Sequence, residues 1–189
     1  MKIIELDYSK RCGEEPGKGH NRWHPDIPPA VEADVEEEVV MQTRHAFDGQ
    51  ITPTTNAADL LEIDLGLVHP LTGPIYVKGA EPGDLLEVTI QRVEPASWGF
   101  TTILPGFGFL RDIFTDPYLV HWEMSNGFAC SSQLPGVRIP EASFMGTIGV
   151  APSRALRQEI LLREDELLRR GGMVVGPRPE GAVPGHEPF

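Results

Sequence analysis

Apolar positions recur with two periods along this chain: short alternating runs up to residue 150, and a helical spacing after it. Alternation marks strands, whose successive side chains point to opposite faces. It predicts strands over Met1–Tyr8, Val39–Arg44, Ile75–Lys78, Leu85–Val93, Trp98–Leu104 and Tyr118–Glu123. One or two more fall within Val137–Val150, broken at Pro140. Gly and Pro punctuate the runs most densely in VHPLTGPIYVKGAEPGDLL, residues 68–86. There Pro82 presets φ and Gly83 accepts the positive φ of a type II turn. Asp48-Gly49 is a hairpin-type turn signal. Thr55 or Asn56 is placed to cap a short helix over Ala57–Leu67, with Leu60, Leu61 and Leu65 at helical spacing.

The long helix falls at Ser153–Arg170. Ser153 caps it, Leu156, Ile160 and Leu167 form a stripe joined by Leu161 and Leu168, and Gly171-Gly172 ends it. Glu159/Arg163 and Glu166/Arg170 are i,i+4 pairs. The reading is mainly β, largely antiparallel, with one long helix near the end. Residues 1–150 form the β region, 151–172 the helix, and 173–189 a Pro/Gly-rich linker or cleavage region.

Composition narrows the function classes. The chain has 189 residues, enough to bury a real core. A formal net charge of −12 disfavours nucleic acid and anionic membrane surfaces. Twenty glycines and eighteen prolines suit a turn-rich β fold. Cys12 and Cys130 lack metal-ligand spacing and fit free thiols in a reducing cytoplasm. The start, MKIIELDYSK, has no signal-peptide pattern, and no apolar run has membrane-helix length.

Candidate chemistry is scattered. There is no GxSxG, HExxH, CxxC or P-loop pattern, and Cys130 in FACSS lacks a neighbouring base. Histidines and aspartates stand beside Gly/Pro turns: His20, His24, Asp26, His45, Asp48, His69, Asp84 and His121. Such groups suit a hard or borderline metal, yet no close-spaced pair fixes one. His20 and His24 are four apart, but the surrounding prolines argue against a helix presenting both. His69 lies at a polar junction, open to a functional role or to a plain turn hydrogen bond.

HNRWHPDIPP (20–29), TRHAFDGQI (43–51), VHPLTGPIYVKGAEPGDLLEV (68–88), PGFGFLRD (105–112), VHW (120–122) and SFMGTIGVAPS (143–153) resemble, in order, the acetamidase/formamidase family of amide hydrolases. The resemblance covers nearly the whole chain. It implies a jelly-roll-type β-sandwich with further α/β elements completed by a second half. It implies hydrolysis of short amides such as formamide to a carboxylate and ammonia, with γ-lactams as substrates of some relatives. A divalent metal, zinc in particular, and a homo-oligomer are also implied. His45 stands where the family has Asp, so an imidazole replaces a carboxylate. The family's later motifs, a HGGNMD-like and a GDGEV-like stretch, are not in this chain. The expectation is therefore the N-terminal half of an amidase, with its C-terminal half as partner.

In that half the resemblance assigns His45 to the metal and Gln50 to amide hydrogen bonding. Asp48 and His69 would orient ligands, and Trp23 and Phe107 would form an apolar wall that keeps the substrate small. Two alternatives accompany this reading: a lactam-hydrolysing relative, and an inactive β-sandwich binding or assembly module for which His45 is the main support.

Overall fold

The computed structural model describes residues 1–174 and 181–185. The chain is mainly β, with ten short strands and one α-helix among the described residues. The strands are β1 (Lys2–Ile4), β2 (Gly19–His20), β3 (Val31–Ala33), β4 (Val39–Met41), β5 (Leu71–Thr72), β6 (Ile75–Val77), β7 (Trp98–Ile103), β8 (Tyr118–Ser125), β9 (Phe128–Cys130) and β10 (Arg138–Pro140). The helix α1 spans Arg154–Arg169.

The chain divides into two compact units. The first comprises Met1–Gln50, Asp64–Glu87 and Gly149–Phe189. It holds three two-stranded sheets: β1 with β4, β3 with β6, and β2 with β5. The first two pairs are parallel, which corrects the largely antiparallel expectation for this part of the chain. Short local motifs read as hairpins, whereas these pairs join strands more than a hairpin apart. The buried residues Ile4, Ile27, Ala33 and Val68 anchor this unit. The second unit comprises Ile51–Ile63 and Val88–Ile148. It carries an antiparallel sheet in the order β10-β9-β8-β7. Leu119 and Val120, consecutive on β8, are both buried, so both faces of the sheet are covered there.

α1 forms where its local signals place it. The Ser153 hydroxyl accepts the Leu156 N–H at 3.1 Å. At the other end Gly172 N–H donates to Leu167 O and Gly171 N–H to Leu168 O, both at 2.9 Å, the double bond pattern of a Schellman stop. The Glu166 carboxylate pairs with Arg170 at 2.9 Å. The 81–84 turn also forms, with Asp84 N–H donating to Glu81 O at 3.0 Å.

Two expectations are corrected. The helix over Ala57–Leu67 is instead two 3-10 turns, Ala58–Glu62 and Leu65–Leu67, separated by extended backbone at Ile63. The Asp64 side chain accepts the Gly66 N–H at 2.8 Å and starts a new turn. The Gln50 amide meanwhile grips the Asp64 backbone and pulls it out of helical register. The strand over Leu85–Val93 does not form either. The segment is extended in sequence pattern only, because no strand among the described residues pairs with it. A strand needs a neighbour for its ladder.

Candidate functional site

The first compact unit gathers four of the sequence-selected residues into one set of cross-linked loops. The 44–50 segment is the hub. Its turn closes through Asp48 N–H to His45 O and Gln50 N–H to Phe47 O, both at 3.0 Å. Asp48 sits at φ 49°, a left-handed conformation that Asp tolerates better than most residues.

Three links fix this turn. Asp48 is 2% exposed, and its two carboxylate oxygens accept the Cys12 N–H at 3.0 and 2.9 Å. The Arg44 guanidinium lies 3.8 Å from Asp48 and also pairs with Glu15. All three side chains are almost fully buried, and Arg44 further donates to the carbonyls of Lys10 and Asp7. Gln50 makes the second link: its Nε2 donates to Asp64 O at 3.0 Å and its Oε1 accepts the Asp64 N–H at 2.8 Å. The third is His69 N–H donating to Ala46 O at 2.7 Å.

These links define what each side chain is able to do. Asp48 serves the backbone of residue 12 and the Arg44 charge, so it holds the turn. Gln50 has both ends of its amide engaged by Asp64, so it too fixes a loop. His69 is exposed at φ 59°, on backbone stapled to the residue after His45. His45 is half-buried, and its Nδ1 accepts the Phe47 N–H at 3.2 Å. That bond leaves the proton of the neutral ring on Nε2, which makes His45 a hydrogen-bond donor at that atom.

The adjacent loop carries the HNRWH residues. His20 donates from Nδ1 to Arg22 O at 2.7 Å, and His24 accepts the Asp26 N–H at 3.1 Å. Both are buried, and burial pushes both imidazoles below their ordinary pKa. Arg157 of α1 adds its charge against protonation of His24. The hydrogen bonds of both rings to Arg22 O and the Asp26 N–H close turns of their own loop. Trp23 stands edge-on to His20, 6.0 Å between ring centres, and remains 38% exposed. Phe107 belongs to the second unit and is exposed to the same degree.

Sequence reasoning missed Asn21, Arg44 and Glu15. Asn21 is buried and ties three segments together. Its Nδ2 donates to Gly66 O at 3.2 Å and Gly181 O at 2.8 Å, and its Oδ1 accepts the Val183 N–H at 2.8 Å. A Cβ at Gly181 would lie 2.6 Å from Gly66 O, so this approach requires glycine. Residues 181–185 are therefore held against the site loops despite lacking any apolar period. The only sequence signal was the position of Asn21 inside the His-rich motif.

A divalent metal is implied by the resemblance, and the described residues do not complete a site for one. No three His, Cys, Asp or Glu side chains among them converge. Asp48 is committed to Cys12 and Arg44, and His45 Nδ1 to the Phe47 N–H. The Cys12 thiol is pushed up to about 11 by burial and by the Asp48 charge, which removes it as a nucleophile. No reaction step is assigned to a metal.

The fold is mainly β, and its candidate site is a set of loops that hold His45 and His69 on adjoining backbone. The chain belongs to the acetamidase/formamidase family, whose sequence model matches residues 5–188. It is 36% identical over 179 residues to an acetamidase of Mycolicibacterium smegmatis, covering 88% of this chain and 44% of that protein. It is 36% identical over 172 residues to a formamidase of Methylophilus methylotrophus, covering 88% and 42%. Among solved structures, a gamma lactamase from Delftia acidovorans superposes with a TM-score of 0.85 at 31% identity, over 96% of this chain and 47% of that one. An acetamidase from Bacillus halodurans gives 0.66 at 29% identity, over 72% and 45%. The chain thus spans less than half the length of these relatives. No helix among the described residues is long and apolar enough to cross a membrane.

Proposed function

We propose that this chain supplies one half of an amide hydrolase that releases ammonia from short linear amides such as formamide or acetamide. The single observation that carries the reading is the cross-linked 44–50 and 64–69 loops, which hold His45 and His69 on adjoining backbone. The names of the relatives support the same chemistry. His45, carried by this loop, serves the amide or metal side of the site. His69, exposed beside it, is the proton-transferring group. Asp48 and Gln50 fix the loop that carries His45, and the exposed ring of Trp23 offers the apolar wall that favours a small substrate. Phe107 keeps no assigned part.

The remainder of the fold, including the jelly-roll-type closure, comes from a polypeptide equivalent to the rest of the relatives. Any zinc ion draws ligands from that polypeptide, and the complete enzyme is a cytoplasmic homo-oligomer. The lactam-hydrolysing reading stays beside this one because the gamma lactamase superposes over 96% of the chain. Mixing this chain with the complementary half and measuring ammonia from formamide, with and without chelator, tests the proposal. Ring opening of a γ-lactam separates the two substrate classes. Ammonia release is expected; its absence under every metal supplement overturns the reading.

A further inference from the structure

The SFMGTIGVAPS stretch, residues 143–153, contains a glycine that its backbone conformation does not require. Gly149 lies outside the left-handed region, so an ordinary residue could adopt its φ. What position 149 lacks is room for a side chain. A Cβ there would lie 2.8 Å from Cη2 of Trp23, 3.2 Å from Cζ3 and 3.6 Å from Cζ2. The outer ring of the indole thus rests on the Gly149 backbone, a close approach that only glycine permits.

Two further contacts fix the surroundings of that ring, all within the first compact unit. The His20 imidazole stands at 76° to the indole, and His20 is itself buried and held to Arg22 O. Three residues after Trp23, Asp26 pairs with Arg154, and the Ser153 hydroxyl caps α1 at the same place. The 20–26 loop and the 149–154 segment are therefore joined at two points, Trp23 on Gly149 and Asp26 with Arg154. Between Gly149 and His20 the Trp23 side keeps 38% of its surface open. A ring displaced from Gly149 moves toward that open side, because His20 blocks the other.

We propose that Gly149 is a positioning residue that sets how far the Trp23 wall stands from the substrate, and so the size of acyl group the site takes. The inference rests on the amide-hydrolase reading above and deepens it. With glycine at 149 the indole lies back on the backbone, and the open side has room for an acetyl as well as a formyl group. A methyl at 149 pushes the ring outward until its nearest contact opens from 2.8 Å to the ordinary 3.4 Å or more. Gly149 is exposed, so the methyl displaces the ring and leaves the core as it is. One methylene in or out of an apolar pocket changes discrimination about 10- to 200-fold, and a partial narrowing falls at the low end.

The test compares the parent with Gly149→Ala, Trp23→Phe and the double variant. Fluorotryptophan in place of Trp23, Trp98 and Trp122 gives fluorine resonances, and the one lost in Trp23→Phe reports the ring. Ammonia release from formamide and from acetamide is measured on the chain mixed with its complementary half. In Gly149→Ala the Trp23 resonance should move, the other two should stay, and the melting temperature should hold. The acetamide-to-formamide ratio of kcat/KM should fall about tenfold, through KM for acetamide. Phe lacks the outer indole ring and clears the new methyl. In the Trp23→Phe background, Gly149→Ala should therefore change the ratio by less than about twofold. An unmoved resonance, a moved resonance with an unchanged ratio, or the same tenfold fall without Trp23 overturns the inference alone. A parent that releases no ammonia from either amide under any metal supplement overturns the amide-hydrolase reading, and the inference falls with it.

Discussion

The 44–50 turn and the 85–93 segment are both short stretches with strong local signals, and they end in opposite conditions. In the turn, Asp48 gives both oxygens to Cys12, Gln50 gives both ends of its amide to Asp64, and Ala46 O takes the His69 N–H. In the segment, the apolar alternation finds no partner strand among the described residues, and Leu85 stands almost wholly in solvent. The difference lies in where the partners are. The turn saturates its polar groups with residues of this chain, so it is finished as it stands. The candidate loop is thus closed by residues of this chain, while residues 85–93 pair with no strand among its described residues.

The sharpest way to break that comparison is to remove the hub of the finished region. Arg44→Met leaves Asp48 a buried carboxylate without its cation and Glu15 with Lys18 alone. Breaking such a pair costs about 3–5 kcal/mol. Chemical denaturation should show a loss of that size or outright failure to fold. An unchanged midpoint would mean that the Arg44 network does not hold the turn. Asn21→Ala is the next largest. It strands Gly66 O, Gly181 O and the Val183 N–H, and an unsatisfied buried group costs about 1–3 kcal/mol. Limited proteolysis should then cut the 181–185 segment faster than in the parent; equal rates would show that Asn21 is not the tie.

Acidification gives a smaller effect on the same region. His20 and His24 are held below the ordinary imidazole pKa of about 6.5. The unfolded chain therefore binds protons first as pH falls. Stability from these two groups is full above about pH 6.5 and declines below it, toward their depressed folded values. The lowered carboxylates Asp7, Glu15 and Glu37 titrate in a more acidic window and do not mask this slope. Thermal scans from pH 7.5 to pH 5.5 should show a falling melting temperature; a flat profile would contradict the buried neutral histidines.

The sequence made the local elements legible and left the long-range ones hidden. α1 was readable because Ser153, the leucine stripe and Gly171-Gly172 all lie within one stretch. The 47–50 and 81–84 turns were readable for the same reason. The resemblance named His45, Asp48, Gln50 and His69 as candidates, but their linkage through Asp64 and Ala46 was not legible. Asn21 reaches a partner 160 residues away, and no local pattern carries such a contact. The parallel pairs β1–β4 and β3–β6 escaped notice because parallel pairing is set by tertiary packing. The 85–93 strand was predicted from a pattern that describes burial which this chain by itself does not provide.

Amide hydrogen exchange on this chain tests the central claim most directly. The amides of Cys12, Asp48, Gln50 and Asp64 should be protected, while those of 85–93 exchange at the rate of open chain. Protection of 85–93, or open-chain exchange at the four protected amides, would contradict the account.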